Sequence, residues 1–306
     1  MTMRSLTRTE IRQLARAIGV RPRLALGQHF LHDASTVRRI VAASGLQRAD
    51  HVLEAGAGLG SLTLALLDRG ARVTAVEADP VLARQLPVTV GDHLPRASAR
   101  LTALHSDILS LTGEHLTDAP TVLLADLPDR IAVPALLHLL AEFPSIRTAM
   151  VLVAADRAAR LTAPPGDKAY GVSTIKVRFF GDVHRYGMVS PTTLWPIPRV
   201  YRGLVRVDRH LCPSWPTDAQ FRGQVFEFVE TVFTRRDRSA RTALAPWAGS
   251  GDESARRLLA ASIHPSRRIE SLTAADYARI LQRSGDWHSV SDPLPAEPAL
   301  PSPQGG

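Results

Sequence analysis

Cysteine is almost missing from this chain of 306 residues: Cys212 stands alone. That excludes an internal disulfide and any metal site built from paired cysteines. The histidines are scattered without ligand spacing, so no metal is expected. Lysine is nearly absent too. Only Lys168 and Lys176 occur, and arginine supplies almost all the positive charge. No apolar run approaches the length of a membrane-crossing helix, and the first ten residues hold no apolar signal core. A cytoplasmic protein that does not enter a membrane is expected.

What is present is the composition of a soluble globular protein, 45% hydrophobic and 22% charged. The length suits one large domain and one small one. A net charge of +8 and a pI near 10.6 point to an anionic partner, with nucleic acid the first candidate. An arginine skew of this kind is also what a compositionally biased genome produces without any binding face.

The informative stretch is His51-Val-Leu-Glu-Ala-Gly-Ala-Gly-Leu-Gly60, followed by Val73-Thr-Ala-Val-Glu77. It has the pattern of a buried strand, a glycine turn, a helix start and a second parallel strand ending in an acid. Gly56, Gly58 and Gly60 allow a tight turn and close approach to a ligand. Glu77 follows Gly56 at about the 20-residue spacing of a ribose-binding acid. Glu54, just before the glycines, would repel a pyrophosphate and suits an ammonium group. Ribose, adenine and a methionine-like ammonium together describe S-adenosylmethionine.

Thr7 and Glu10 offer a capping box for a helix to about residue 18. Residues 21–30 form a basic arm, and residues 33–44 a helix. Strands are expected at 51–54, 72–77, 101–104, 121–126 and 148–153, with helices opening near Gly60, Pro80, Ile131 and Asp156. Such alternation predicts a doubly wound parallel sheet. Antiparallel strands are expected at 173–179, 183–189 and 201–209. Helices follow at 221–234, 253–261 and 274–283. The fold class is α/β, a doubly wound domain with a small C-terminal helical domain. The expected units are an N-terminal helix (1–20), a cofactor-binding domain with its arm (21–210), a helical domain (211–287) and a disordered Pro/Ser/Gly-rich tail (288–306).

Several motifs resemble those of the ribosomal RNA adenine N6,N6-dimethyltransferases. They are Leu26-Gly-Gln-His-Phe-Leu31, the 53–63 glycine loop, Val76-Glu-Ala-Asp79, Ser106-Asp-Ile108, Ala125-Asp-Leu-Pro128, and Val189-Ser-Pro191 with Trp195-Pro-Ile-Pro198. The resemblance runs from about Arg21 to Gln282. The family includes kasugamycin-linked housekeeping methylases and macrolide-resistance methylases, hence the expectation of rRNA processing or antibiotic resistance. The resemblance implies that the larger domain is a Rossmann-like class I methyltransferase domain. It implies S-adenosylmethionine as cofactor and ribosomal RNA or a ribosomal subunit as partner, with the protein acting as a monomer. It assigns Gln28, His29, Leu31, Glu54, Gly56, Gly58, Glu77, Asp107 and Asp126 to the cofactor. It assigns Asp126, Leu127, Pro128 and Asp129 to catalysis, and Arg235, Arg236, Arg238 and Arg241 to RNA. Asp107 read alone is a helix N-cap, and the arginines read alone are a solvated helix face.

The chain departs from the family pattern on the side of the target base. Asp126-Leu-Pro-Asp129 stands where the family has Asn-Leu-Pro-Tyr or Asn-Leu-Pro-Phe. Asp126 still accepts hydrogen bonds from an amino group, but Asp129 cannot stack on a flipped base. Such stacking is worth about 1–3 kcal/mol. His29 replaces the usual Asn; it is either a surface residue of a mobile arm or a proton acceptor beside the cofactor. Val153-Ala-Ala-Asp156 replaces Val-Gln-x-Glu, Asp237 interrupts the basic run, and Thr242 replaces Asn. Besides RNA adenine methylation, two other functions therefore stay open. One is a cofactor-binding paralogue with a repurposed reaction; the other is an RNA-binding assembly factor.

Overall fold

The computed structural model describes residues 5–23 and 27–284. Helix α1 (Arg8–Ala17) starts at Thr7, whose side chain accepts from the Glu10 amide while Glu10 reaches back to the Thr7 amide. The short strand β1 (Phe30–Leu31) and helix α2 (Ala34–Ala43), capped by Asp33, lead into the sheet.

The alternating half of the fold follows. In chain order it comprises β2 (His51–Ala55), α3 (Ser61–Asp68), β3 (Arg72–Glu77), α4 (Pro80–His93), β4 (Leu101–His105), β5 (Val122–Asp126), α5 (Asp129–Glu142), β6 (Thr148–Ala154) and α6 (Ala155–Thr162). Its inner strands are apolar on both faces, as parallel strands covered by helices must be, while the edge strand β4 is only partly buried. β2 and β6 are buried along their whole length. Then come α7 (Val172–Phe180), β7 (Gly181–Val189), β8 (Leu194–Trp195) and β9 (Arg202–Arg209).

Seven strands form one sheet in the order β4-β3-β2-β5-β6-β9-β7. The first five are parallel; β9 runs antiparallel to both β6 and β7. The chain leaves β2 for β3 on one side and returns to β5 on the other. That reversal opens a crevice at the carboxyl ends of the strands. Because β9 is antiparallel, its first residues arrive at this same edge. The fold is the Rossmann-like α/β architecture expected.

Residues 173–179 are not a strand. They lie in α7, buried through Ile175, Val177, Phe179 and Phe180. The Val, Ile and Phe content imitates strand chemistry, but the segment is enclosed by other helices. Phe179 and Phe180 meet Phe226 edge to face, and Lys176 pairs with Glu230 at 2.7 Å. Enclosure on several sides favours a helix, whose backbone bonds close internally.

Phe226 and Glu230 belong to α8 (Ala219–Phe233), which is followed by α9 (Ala240–Ala248), α10 (Gly251–Ala260) and α11 (Ala274–Ser284). These helices share one continuous core with a face of the sheet, running from Leu53, Leu123 and Val151 to Phe228, Leu244 and Tyr277. The other face is covered by α1 to α4, through Ile11, Ile40, Leu64 and Leu86. The expected disordered tail lies outside the described residues.

Helix α6 presses closely on β9. A Cβ on Gly203 would stand 2.3 Å from that of Ala158. Neither backbone element can shift without disturbing the sheet, so Gly203→Ala should cost about 1–3 kcal/mol as overpacking does. Urea denaturation of the purified variant measures this. An unchanged midpoint would show that α6 yields freely.

Candidate active site

The glycine turn after β2 is held from both sides. Gly56, Gly58 and Gly60 have φ of 80°, 57° and 97°, a region that disfavours any side chain. A Cβ at Gly56 would lie 2.5 Å from the Asp126 carbonyl oxygen, and one at Gly58 would lie 3.0 Å from the Phe30 ring. The turn thus touches the end of β5 below and the arm above.

Glu77 ends β3 beside it. Its Oε2 accepts from the Gly58 amide at 2.8 Å and its Oε1 from the Asp79 amide at 2.9 Å. Burial pushes the Glu77 carboxyl up from its ordinary value, and these two amides oppose that shift. The result is a fixed acceptor with spare lone pairs at the mouth of a cavity of about 220 Å³. Gln28, His29, Gly56, Gly58, Glu77 and Asp107 all line this cavity, as do Asp126, Leu127 and Pro128. Val76, Leu82 and Ile108 add apolar wall. The mixture suits a nucleoside: carboxylate for hydroxyls, aliphatic faces for a base, and bare glycine backbone where a side chain would fill the space.

Other assigned residues have different surroundings. Glu54 is not on the cavity wall. It is 2% exposed beneath the turn, where Thr63 Oγ1 donates to its Oε2 at 2.7 Å and its Oε1 has no partner. Leu31 borders a smaller adjoining hollow, and its carbonyl accepts from Ser61 Oγ at 2.5 Å. Gln28 is engaged within the protein: its Oε1 accepts from the Arg23 amide and its Nε2 donates to Asp79. Asp107 faces the cavity and is not a helix N-cap: no helix follows it directly, and its Oδ1 accepts from the Leu109 amide within a turn.

His29 is not a freely exposed arm residue. Its Nδ1 lies 2.6 Å from the Pro196 carbonyl. A carbonyl only accepts, so Nδ1 carries the hydrogen. Beside it β1 pairs antiparallel with β8, and Phe30 stacks on Trp195 at 6.3 Å. The arm is therefore clasped to the proline-rich loop.

On the far side of Asp126 the structure brings in a residue that sequence reasoning missed. Arg202, 6% exposed at the start of β9, places Nη2 2.8 Å from Asp126 Oδ1, 3.0 Å from the Leu127 carbonyl and 2.8 Å from the Leu152 carbonyl. Burial raises the Asp126 carboxyl above its ordinary range, with the Arg202 charge opposing. Asp129 turns away from the cavity wall. Its Oδ1 accepts from the Ala154 amide at 2.7 Å, tying the start of α5 to the end of β6.

The four arginines assigned to RNA do not form one uniform face. Arg236 is held by Glu270 at 3.2 Å and by the carbonyls of Asp167 and Lys168. Arg241 pairs with Asp252 at 2.7 Å. Arg235 and Arg238 are exposed, Arg238 lying 3.7 Å from Asp237.

Comparison with known proteins adds the lineage. The ribosomal RNA adenine dimethylase family model matches residues 20–285. The chain belongs to that family. A relative from Mycolicibacterium vanbaalenii named ribosomal RNA small subunit methyltransferase A is 62% identical over 300 residues, 98% of this chain and 96% of its own. One of the same name from a Mycobacterium species is 64% identical over 286 residues, covering 94% and 97%. Among solved structures, a dimethyladenosine transferase from Plasmodium falciparum superposes with a TM-score of 0.67 at 19% identity, covering 83% of this chain and 96% of its own. The 23S rRNA methyltransferase ErmE gives 0.63 at 24%, covering 83% and 98%. These two show the shared fold. The protein is an S-adenosylmethionine-dependent methyltransferase, and the cavity around Glu77 fits that cofactor.

Two outcomes follow from this geometry. If Glu77 takes the ribose hydroxyls, Glu77→Ala should weaken S-adenosylhomocysteine binding by about tenfold or more in calorimetry. Full affinity in that variant would move the ribose elsewhere. For Glu54, burial pushes the carboxyl up to about 8 from 4.5. The folded protein keeps the proton that the unfolded chain releases. The resulting stability is complete below about 4.5 and is lost as pH rises towards about 8. Glu54→Gln should therefore raise the melting temperature increasingly across that window. A pH-independent difference between variant and parent would contradict a protonated Glu54.

Proposed function

We propose that the protein transfers methyl groups from S-adenosylmethionine to the N6 amino group of adenine in ribosomal RNA. The observation that carries this reading is the placement of Asp126-Leu127-Pro128. The turn forms one end of the cavity whose other parts suit a nucleoside. Full-length similarity to relatives named as ribosomal RNA methyltransferases supports it. A cytoplasmic monomer acting on a ribosomal subunit is the accompanying proposal.

The chemistry asks little of the protein beyond orientation and proton handling. The cofactor supplies an electrophilic methyl group whose bond to sulfur breaks as the bond to nitrogen forms, leaving a neutral thioether. The adenine must leave its stack to present N6. Asp126 and the Leu127 carbonyl are the chain's acceptors for the N–H groups of that amine. Accepting them turns the nitrogen lone pair towards the cavity, and the Asp126 carboxylate can take up the proton released. Trp195, stacked on Phe30, lies on the loop beside this end.

A second reading has its own support. Asp129 is bonded away from the site and Arg202 already contacts Asp126 and Leu127. A protein with that arrangement can bind cofactor and RNA with little transfer, as an assembly factor, or act on another acceptor. Labelled methyl transfer to small ribosomal subunits lacking dimethyladenine separates the two. Incorporation by the parent that disappears in Asp126→Ala supports the first reading. Cofactor binding without incorporation into small or large subunits supports the second.

The surface arginines yield a further outcome. Neutralising Arg235 and Arg238 together should reduce the salt slope of RNA binding by about 0.7–0.9 for each phosphate that these side chains neutralise. Arg236→Gln should instead lower the melting temperature, because two carbonyls lose their donor and Glu270 keeps only Arg268 as a charged partner. An unchanged slope in the double variant would leave those two side chains as a solvated face.

A further inference from the structure

Arg202 does more than neutralise Asp126. Its Nη2 is an –NH2 group on a trigonal carbon, the same donor group as the exocyclic amine of a nucleobase. That one nitrogen donates to the Leu127 carbonyl at 3.0 Å and to the Leu152 carbonyl at 2.8 Å, and it pairs with Asp126 Oδ1 at 2.8 Å. Asp126 and Leu127 are on the cavity wall, whereas Arg202 itself does not line the cavity. The sheet order explains which side it occupies. Glu77 and Asp107 follow β3 and β4 on one side of β5, while Arg202 reaches in from β9 across β6 on the other. The guanidinium therefore reaches the Asp126–Leu127 end of the cavity from the β6–β9 side of the sheet.

We infer that the Arg202 guanidinium occupies the subsite of the acceptor's amino group, making Arg202 a specificity-determining residue for methyl transfer. This rests on the reading of the Glu77 cavity as the methyl-donor site. An entering amine has to displace Nη2 from both cavity-wall acceptors before its own N–H groups find partners. The site is buried, and any amine left without those acceptors loses hydrogen bonds that water no longer replaces. The guanidinium is also incompletely satisfied: its Nε is buried with no hydrogen-bond partner. Its hold on the acceptors runs through a single nitrogen, so a ligand group that accepts from Nε can draw it aside. Arg202 thus bars free adenine-type amines while leaving a route for an acceptor that brings such a group with it.

The decisive experiment uses the full chain saturated with S-adenosylhomocysteine. Arg202→Ser alone would strand a buried carboxylate, so it is combined with Asp126→Asn. Calorimetric titration with adenosine should show binding to the double variant at least about tenfold tighter than to the parent. Labelled methyl transfer to small ribosomal subunits lacking dimethyladenine should rise about ten- to a hundredfold. Equal adenosine affinity in parent and double variant would overturn the inference, and so would methyl transfer by the parent that falls in the double variant. Tighter adenosine binding with no RNA methylation by either protein upholds the inference and rejects the ribosomal RNA reading. If the serine variant loses S-adenosylhomocysteine binding, Arg202→Met with Asp126→Asn keeps the volume and is judged by the same two outcomes.

Discussion

The contact between Gly56 and the main chain at Asp126 is the constraint on which the site depends. It fixes the height of the glycine turn against the end of β5, with no room for even a methyl group between them. Because β2 and β5 are neighbours at the point where the sheet reverses, this contact joins two functions in one place. The turn on one side fixes the Gly58 amide, and through it Glu77. The carbonyl on the other side belongs to the residue whose carboxylate faces Arg202. The glycine turn, Glu77 and the Asp126–Arg202 pair are thus set relative to one another through a single contact.

Electrostatics around that wall are arranged by burial more than by surface charge. Glu54, Glu77 and Asp126 are three carboxyls within a small volume, and each is pushed up by desolvation. They are kept apart by different partners: Thr63 for Glu54, backbone amides for Glu77, and a guanidinium for Asp126. Glu54 works from beneath the turn, as a buried prop for Thr63 on α3.

The parts of this site that were legible in the sequence are those built from local spacing. Gly56, Gly58 and Glu77 lie within one βαβ unit, where strand, turn and helix impose a fixed order on the residues. Asp126 and Leu127 were legible in a different way, through the resemblance of Ala125-Asp-Leu-Pro128 to the family's motif at the end of this strand. The residues that escaped depend on pairing between distant segments. Arg202 meets Leu127 across 75 positions of chain, and nothing around Arg202 marks it as more than the first residue of a strand. Asp129 was expected at the target base, but an amide at the end of β6 holds it elsewhere. Helix α7 escaped because its β-branched and aromatic residues fit either period, and only the surrounding helices decide between them. The pairing of β1 with β8 joins two dipeptides, too short to show a pattern.

That small pairing has a mechanical meaning. The arm residues Gln28, His29 and Phe30 are part of the cavity wall, yet they are fastened to a loop that follows β7. The fastening consists of two paired strands, an imidazole on a prolyl carbonyl and two stacked rings. Such a clasp makes the arm and the loop a single moving part. Any shift of the arm is thereby transmitted to Trp195, and any shift of the loop to the cavity wall at Gln28 and His29. For a reaction that adds more than one methyl group to one nitrogen, reloading the donor and regripping the acceptor become the same motion.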